Sequence, residues 1–161
     1  MLNSNNDRAL YLRFLTAFLI AAIALAIQFK SARIVGIQAD FVLTVCIVLG
    51  IFLSFREFLI LLLGSAWALN WQPAVGWELA LFLSIPIIFF FAKRLSPWQP
   101  WLASLAAVFC GVLIFYLGID HQTFLLHGSV ATVMLFYDIL FGALVFELFR
   151  RFYAPTIHIY F

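Results

Sequence analysis

One apolar stretch near the end of the sequence constrains the fold more than any other. It runs from Gly128 to Arg151 and contains a single acid near its middle, Asp138. At a helical rise of about 1.5 Å per residue, Asp138 lies roughly 16–18 Å from the polar residues at either end, His127 and Arg150. The carboxylate is then near the centre of a hydrocarbon core about 30 Å thick, where an exposed charge costs about 3 kcal/mol or more. We therefore expect Asp138 to face other helices, protonated or hydrogen-bonded.

The composition places the whole chain in a membrane. Hydrophobic residues make up 66% of its 161 residues and charged residues 10%, whereas soluble domains have about 45–50% and 25%. The net charge of +2 is small and the nine basic residues are scattered, so no surface for nucleic acid is indicated. Cys46 and Cys110 lie in apolar runs without a CxxC spacing, which is typical of packing residues.

The hydropathy pattern predicts one all-α, polytopic membrane domain over residues 1–161, with six transmembrane helices. The predicted spans are at about residues 9–29, 36–55, 58–70, 77–92, 98–118 and 128–149, with polar tails at 1–8 and 152–161. The second span begins near either Ile34 or Phe41, and Arg56-Glu57 form the turn that follows it. The third span has only about 13 residues, fewer than the usual 17–25 or so, so the two central helices are predicted to be short.

Basic residues indicate the orientation of these spans. Six spans with a cytoplasmic N-terminus put seven basic residues on the cytoplasmic side: Arg8, Arg13, Arg56, Lys93, Arg94, Arg150 and Arg151. Only Lys30 and Arg33 are then outside, which agrees with the positive-inside rule. Both termini are therefore predicted to be cytoplasmic.

Asp138 has two interpretations. It is either a proton- or ligand-linked site, or a neutral acid that bonds a hydroxyl on a neighbouring helix and specifies packing. Four hydroxyls fall at a similar predicted depth and could bond it: Ser65, Ser84, Ser104 and Thr132. No second charge is predicted to lie deep in the membrane and form a relay, so the packing role is favoured.

Other polar and small residues have characteristic spacings. Glu147 precedes Arg150 and Arg151 by three and four residues, which predicts an ion pair on one helix face, either solvated or bound to a partner. We interpret Arg56-Glu57 in the same way at their turn. Small residues recur at four-residue spacing: Ala17 with Ala21, Ala22 with Ala26, and Gly64 with Ala68. This spacing lets helices approach closely, either inside the bundle, which is favoured, or with a partner's transmembrane helix.

No pattern in the sequence indicates catalysis, a cofactor or a metal. Asp120, His121 and His127 share a predicted outer loop, but their spacing matches no strong zinc pattern. No nucleophile–base motif, phosphate-binding glycine loop or HExxH motif occurs. We therefore predict a protein that is not an enzyme.

Four segments of the chain resemble the rod shape-determining protein MreD family. The second helix opens with Gln38-Ala39-Asp40-Phe41-Val42-Leu43, where Ala39 replaces the usual proline. Arg56-Glu57 is followed by Gly64 and by Asn70, at a position where Asp is usual. Trp71–Leu81, with Gly76, is similar to the family's loop and helix start. Tyr137 to Ala143, continuing to Arg150-Arg151, is similar to the final helix, where Asn is more frequent than Asp at position 138.

The resemblance implies a non-catalytic scaffold in the bacterial cytoplasmic membrane that takes part in cell-shape control and peptidoglycan synthesis. Such a protein binds the bitopic protein MreC and, indirectly, an MreB-like filament and peptidoglycan synthases. The expected contact regions are the cytoplasmic turns, Arg56-Glu57 and Lys93–Pro100, and the C-terminal tail. The residues expected to act in packing or partner binding are Asp138, Asn70, Gly76, Arg56, Glu57, Glu147, Arg150 and Arg151.

A second family has a similar plan of six short helices, the substrate-binding subunits of energy-coupling-factor vitamin transporters. The chain is similar to them in length and in its alanine-rich first helix. This alternative implies an outward-facing pocket lined by Trp67, Trp71, Trp77 and Asp138. The sequence lacks the several polar groups that orient a vitamin in such a pocket, so we place this alternative second.

Overall fold

The structure, a computed structural model, is entirely helical over the residues that it describes, as the sequence predicted. Those residues are 4–34, 39–69, 76–93, 99–126 and 128–153, and their side chains are described over 11–30, 39–69, 76–93, 99–119 and 128–151. The helices follow one another as α1 (Ser4–Ile34), α2 (Phe41–Phe52), α3 (Phe55–Leu69), α4 (Trp77–Ala92), α5 (Pro100–Leu126) and α6 (Gly128–Tyr153).

Three helices are long and apolar enough to cross a membrane. The corresponding stretches are Tyr11–Lys30 in α1, Pro100–Ile119 in α5 and Gly128–Arg151 in α6. The others are shorter: α2 has 12 residues, α3 has 15 and α4 has 16. At a rise of about 1.5 Å per residue, α2 is roughly 18 Å long, well under the thickness of a hydrocarbon core. The chain is an α-helical membrane protein in which three long helices accompany three short ones.

The shortest helix, α2, lies at the centre of the bundle. It packs against each of the other five helices, and every residue from Phe41 to Gly50 is buried. Its sequence, FVLTVCIVLGIF, has no polar face, and a helix that is apolar all round is found inside a protein or a membrane. The fold is therefore built around α2.

The remaining helices surround α2 in the order α1, α3, α4, α5 and α6, and consecutive members of this series are in contact. Phenylalanine rings fill one end of the bundle. The Phe52 ring lies 5.1 Å from that of Phe146 and 5.3 Å from that of Phe149, and Phe58 stacks on Phe90 at 4.8 Å. We call this end the basic end, because it holds Arg13, Arg56, Lys93, Arg150 and Arg151.

Small residues bring α1 close to the bundle. Ala17 and Ala21 are buried, as their spacing predicted. Ala22 and Ala26 are exposed on the opposite face of α1, so the prediction that they pack inside the bundle was wrong.

The break between α2 and α3 lies at Leu53 and Ser54, and the predicted turn at Arg56-Glu57 was wrong. The backbone N–H and the hydroxyl of Ser54 donate to Glu57 Oε2 at 2.9 and 2.8 Å. A glutamate that reaches back to the backbone of a serine three residues earlier is one half of a capping box, which starts a helix at that serine. The two charges therefore belong to the first turn of α3.

Two helices continue beyond their predicted ends. α1 begins at Ser4, inside the predicted tail 1–8, and α5 continues to Leu126 through most of the predicted loop Asp120–His127. Neither 4–8 nor 120–126 contains Gly or Pro, so no residue ends the helix where the apolar run ends. Hydropathy marks where a membrane boundary is expected, but a helix can continue past it.

The close contact of α5 with α2 and α4 gives a test of this packing. A Cβ added at Gly111 would lie 2.6 Å from Ile47 Cδ1 and 3.0 Å from Ile85 Cγ2. We expect Gly111→Val to lower the free energy of unfolding by about 1–3 kcal/mol through overpacking, seen as a lower melting temperature in detergent. Gly128→Ala is the control, because nothing lies within 4 Å of an added Cβ there. A Gly111→Val variant as stable as the wild type would contradict the described packing.

Candidate functional site

A buried carboxylate in α6 is the centre of the site. Asp138 is fully buried, with 0% of its surface exposed, so the prediction that it faces other helices is confirmed. Thr44 Oγ1 from α2 donates to Asp138 Oδ1 at 3.2 Å, and Tyr116 Oη from α5 donates to Oδ2 at 3.1 Å. Both carboxyl oxygens are therefore bonded by hydroxyls from two different helices.

Polar contacts continue from Asp138 to the start of α2. Asp40, which precedes α2, accepts a hydrogen bond at its carbonyl oxygen from the backbone N–H of Thr44, the Asp138 partner, at 3.0 Å. Gln28 Nε2 from α1 donates to Asp40 Oδ1 at 3.2 Å, and Gln28 Oε1 accepts from the backbone N–H of Val42 at 3.1 Å. Asp40 itself makes no capping hydrogen bond through its side chain. The first turn of α2 is therefore capped by a glutamine from another helix.

We call Gln28, Asp40, Thr44, Tyr116 and Asp138 the aspartate cluster. It joins α1, α2, α5 and α6 at one point. Of its five members, the sequence indicated only Asp138 as a site residue. The sequence also contained a signal for a second member, Gln28, which is an amide inside a long apolar run. Such groups commonly form hydrogen bonds across helices.

The four hydroxyls that the sequence offered as partners of Asp138 are not its partners, so this prediction was wrong. Ser84 and Thr132 bond carbonyl oxygens of their own helices at 3.1 and 2.7 Å. Ser104 Oγ is buried without a hydrogen-bond partner in the described part of the chain. The depth argument assumed that every helix begins at a membrane face. Instead α2 begins inside the bundle, so that its first turn meets the middle of α6.

A second polar contact lies at the basic end. Arg13 Nη2 from α1 donates to Glu57 Oε2 of α3 at 2.7 Å, and Glu57 is buried, with 8% of its surface exposed. Arg56 is exposed, so the predicted exposed pair between Arg56 and Glu57 was wrong. Consecutive residues of a helix do not face each other, and Glu57 instead joins α3 to α1.

Lys93 caps the other end of α2. Its Nζ donates to the carbonyl oxygens of Gly50 at 2.6 Å and Ile51 at 3.4 Å, and it lies 3.9 Å from the centroid of the Phe90 ring. The last carbonyls of a helix have no partner within the helix and carry partial negative charge. A cation at this position therefore stabilises α2, which is capped by other helices at both of its ends.

Another polar site, formed by Glu147, Arg150 and Arg151, lies on the surface of α6 at the basic end. Glu147 Oε2 lies 2.8 Å from Arg150 Nη2, and Glu147 Oε1 lies 3.0 Å from Arg151 Nε. The ion pair predicted from their spacing is confirmed. One carboxylate faces two guanidinium groups, so this group of three side chains keeps a net charge of +1.

The residues predicted near the opposite end are described only in part. Asn70, Trp71 and His127 lie outside the described residues. Gly76 is the residue before α4, in an extended conformation with φ −83° and ψ 166°. Trp67 and Trp77 are largely exposed, at 72% and 68%.

The polar side chains described above join helices to one another. Over the residues with described positions, no group of three or more His, Cys, Asp or Glu side chains could hold a metal ion. Asp138 uses both oxygens as acceptors for hydroxyls of the protein. The site is thus a set of contacts between helices inside a membrane protein.

Comparison with known proteins gives no match, whether with family models, characterised proteins or solved structures. The class of protein follows from the fold alone, which is that of an α-helical membrane protein whose buried polar groups join its helices.

Removing the Asp138 acceptor tests the aspartate cluster. Asp138→Leu takes away the acceptor of the Thr44 and Tyr116 hydroxyls, and we expect a loss of about 1–3 kcal/mol in stability because these groups lose a buried partner. Asp138→Asn is the control, since an amide both donates and accepts and a hydroxyl can do either, and we expect it to remain close to wild type. The measurement is the melting temperature in detergent. An Asp138→Leu variant with wild-type stability would contradict the role of these hydrogen bonds.

Two arginines at the basic end, Arg13 and Arg56, allow a matched test of the ion pair between Arg13 and Glu57. Arg13→Ala and Arg56→Ala remove the same charge from the same end, but only the first leaves Glu57 buried without its cation. We expect Arg13→Ala to lower the free energy of unfolding by about 2–3 kcal/mol. This is toward the low end for a broken buried pair, because both partners are partly exposed. We expect Arg56→Ala to leave the free energy of unfolding almost unchanged. The double variant Arg13→Ala/Glu57→Gln should recover part of the loss. Equal melting temperatures for the two single variants would refute the assignment.

Proposed function

We propose that this chain is a non-catalytic scaffold of the bacterial rod complex, similar to the shape-determining protein MreD. In this role it lies in the cytoplasmic membrane with six spans and both termini in the cytoplasm. It binds a bitopic MreC-like protein and is connected through it to an MreB-like filament and to peptidoglycan synthases. The proposal rests on the four sequence segments that resemble this family and on where these segments lie in the fold.

The observation that carries the proposal is the meeting of two of those segments. The segment that opens the second helix contains Phe41 and the final segment contains Phe141, and the two rings lie 4.9 Å apart. Thr44 follows directly after the first of these segments, and Asp138 belongs to the final one. Thr44 and Asp138 are 94 positions apart in the sequence and are hydrogen-bonded. Contacts between these segments in the buried interior are what a shared core requires.

A third similar segment has a comparable role at the basic end. Glu57 joins α3 to α1 through Arg13 at 2.7 Å, while its neighbour Arg56 stays exposed. One residue of this segment therefore serves the fold, and the other is available on the surface to a partner.

The contacts favour a scaffold over the alternative, a vitamin-binding transporter subunit. That alternative needs Trp67, Trp77 and Asp138 around a pocket with several polar groups that converge on a ligand. The two tryptophans are exposed on the surface, and the oxygens of Asp138 are bonded to protein hydroxyls.

The distribution of charge supports the proposed orientation. The basic end holds Arg13, Arg56, Lys93, Arg150 and Arg151, whereas Lys30 lies near the other end of α1. Cytoplasmic segments of membrane proteins carry an excess of Lys and Arg. This distribution supports a cytoplasmic position for the basic end, where α1 begins and α6 ends.

Co-purification from the native membrane tests the proposed function. The full chain carries a C-terminal affinity tag and is extracted in mild detergent. We expect recovery of a bitopic membrane protein with a periplasmic coiled coil. Recovery of ATPases together with a coupling subunit would support the transporter alternative and refute the scaffold.

Two variants locate the contact, and the tag reports the orientation. Arg56→Gln and Lys30→Gln each remove one exposed charge, from opposite ends, and we expect only Arg56→Gln to reduce recovery of the partner. Protease added to spheroplasts should leave the tag intact, because the C-terminus is cytoplasmic. Loss of the tag would show that the orientation is wrong.

A further inference from the structure

A groove lies between α5 and α6 on the outside of the bundle, at the basic end. It has a volume of about 430 Å³ and is lined by Trp101, Leu105, Ala143, Phe146, Glu147 and Arg150. This volume is within the range of ligand-binding pockets, about 300–1,000 Å³. None of the lining residues belongs to the aspartate cluster or to the Arg13–Glu57 pair, and Phe146 alone of them takes part in the ring packing at the basic end described above.

The groove has an apolar part and a charged part, in that order along α6. Leu105, Ala143 and Phe146 provide an apolar wall, and Glu147 and Arg150 follow toward the end of the helix. Ala143 and Arg150 are seven residues apart, about 10 Å along the helix axis. Trp101 lies across the groove with 45% of its surface exposed, and tryptophan is enriched where a membrane meets water.

Glu147 and Arg150, which line the groove, cancel in charge. The adjacent Arg151 bonds the same carboxylate, so the group of three has an excess of one positive charge and donors to spare. Arg150 contacts Glu147 through one nitrogen, Nη2, and Arg151 contacts it through Nε. A guanidinium has five N–H donors, so both arginines can donate to a further anion. Arginine binds phosphate oxygens particularly well because its donors match their geometry.

We propose that this groove binds an anionic phospholipid from the leaflet at the basic end. An acyl chain lies along Leu105, Ala143 and Phe146, and the phosphate accepts hydrogen bonds from Arg150 and Arg151. A free phosphate would leave the apolar wall unused, and an uncharged apolar segment would leave the positive charge without a counterion. Basic pockets between transmembrane helices are known sites for anionic headgroups. The inference does not depend on the proposed scaffold role.

Lipid exchange around Trp101 tests the proposal. The full chain is placed in nanodiscs of brominated phosphatidylcholine, whose bromine quenches nearby tryptophan fluorescence, and unbrominated phosphatidylglycerol is added in increasing amounts. The signal from Trp101 is the difference between the wild type and Trp101→Phe. A single basic group attracts anionic lipid with about fivefold preference, so we expect an exchange constant of about five for phosphatidylglycerol over phosphatidylcholine.

Three charge variants distinguish lipid binding in the groove from a general attraction of anionic lipid to the basic end. Arg150→Gln removes the excess charge and should bring the exchange constant to about one. Glu147→Gln adds one unit of excess charge and should raise it about fivefold. Arg56→Gln is the matched control, because it removes the same charge from the same end outside the groove, and should leave the constant unchanged.

A fourth variant and a soluble competitor test the apolar part. Ala143→Phe keeps every charge but fills the apolar wall, and should abolish the preference for phosphatidylglycerol. Glycerol phosphate in the aqueous phase should not compete.

Four results would overturn the proposal. A wild-type constant near one is the result expected of a groove that receives a partner helix. An effect of Arg56→Gln equal to that of Arg150→Gln would indicate diffuse surface attraction. Competition by glycerol phosphate would indicate a phosphate site without a lipid. An Ala143→Phe variant that keeps the wild-type preference would show that the apolar wall does not hold an acyl chain.

Discussion

The structure depends on satisfying the two ends of α2 inside the protein. Each end of a helix leaves backbone groups without partners, and such groups cost several kcal/mol each where neither water nor protein is available to bond them. Because α2 has only 12 residues and is surrounded by five helices, its ends are capped by its neighbours. Gln28 bonds the first turn and Lys93 bonds the last carbonyls. Both caps come from other helices, so capping α2 also sets the positions of α1 and α4.

The same requirement explains why the polar side chains of this apolar chain are placed between helices. The Asp138 carboxyl joins α6 to α2 and α5, and the Arg13–Glu57 pair joins α1 to α3. Hydrophobic burial does not distinguish one helix pairing from another in lipid, because the lipid tails are as apolar as the side chains. Directional hydrogen bonds do distinguish them. The few buried polar groups thus specify which helices are neighbours, while the exposed charges of α6 remain for contacts outside the bundle.

The sequence predicts much of this fold and rather little of the site, for reasons that individual residues make clear. Hydropathy located all six helices, and the spacing of Glu147, Arg150 and Arg151 gave their ion pair. The sequence does not predict which side chains are hydrogen-bonded across helices, because those pairs depend on the depth at which each helix begins. The offset of α2 places Thr44 opposite Asp138, and no local pattern in the sequence encodes that offset. Glu57 illustrates the same limit, since its capping of α3 is readable from Ser54 but its pairing with Arg13 requires the packing of α1.

The positions at which the chain differs from the MreD family, which its sequence resembles, can be judged by the contacts they make. Asp138 stands where asparagine is more frequent, and its two oxygens accept hydrogen bonds from Thr44 and Tyr116. An asparagine can make the same two contacts if one hydroxyl accepts instead of donating, so the two residue types satisfy the same neighbours. Ala39 stands where proline is usual, directly before the turn that Gln28 caps, and is buried. A proline ahead of a helix restricts the backbone of the residue that precedes it, whereas here the bonds of Gln28 to Asp40 and Val42 hold that turn. Of the three departures, Asp138 belongs to the aspartate cluster and Ala39 adjoins it, whereas Asn70 lies outside the described residues. At the cluster, contacts between helices can replace what a local residue preference would supply.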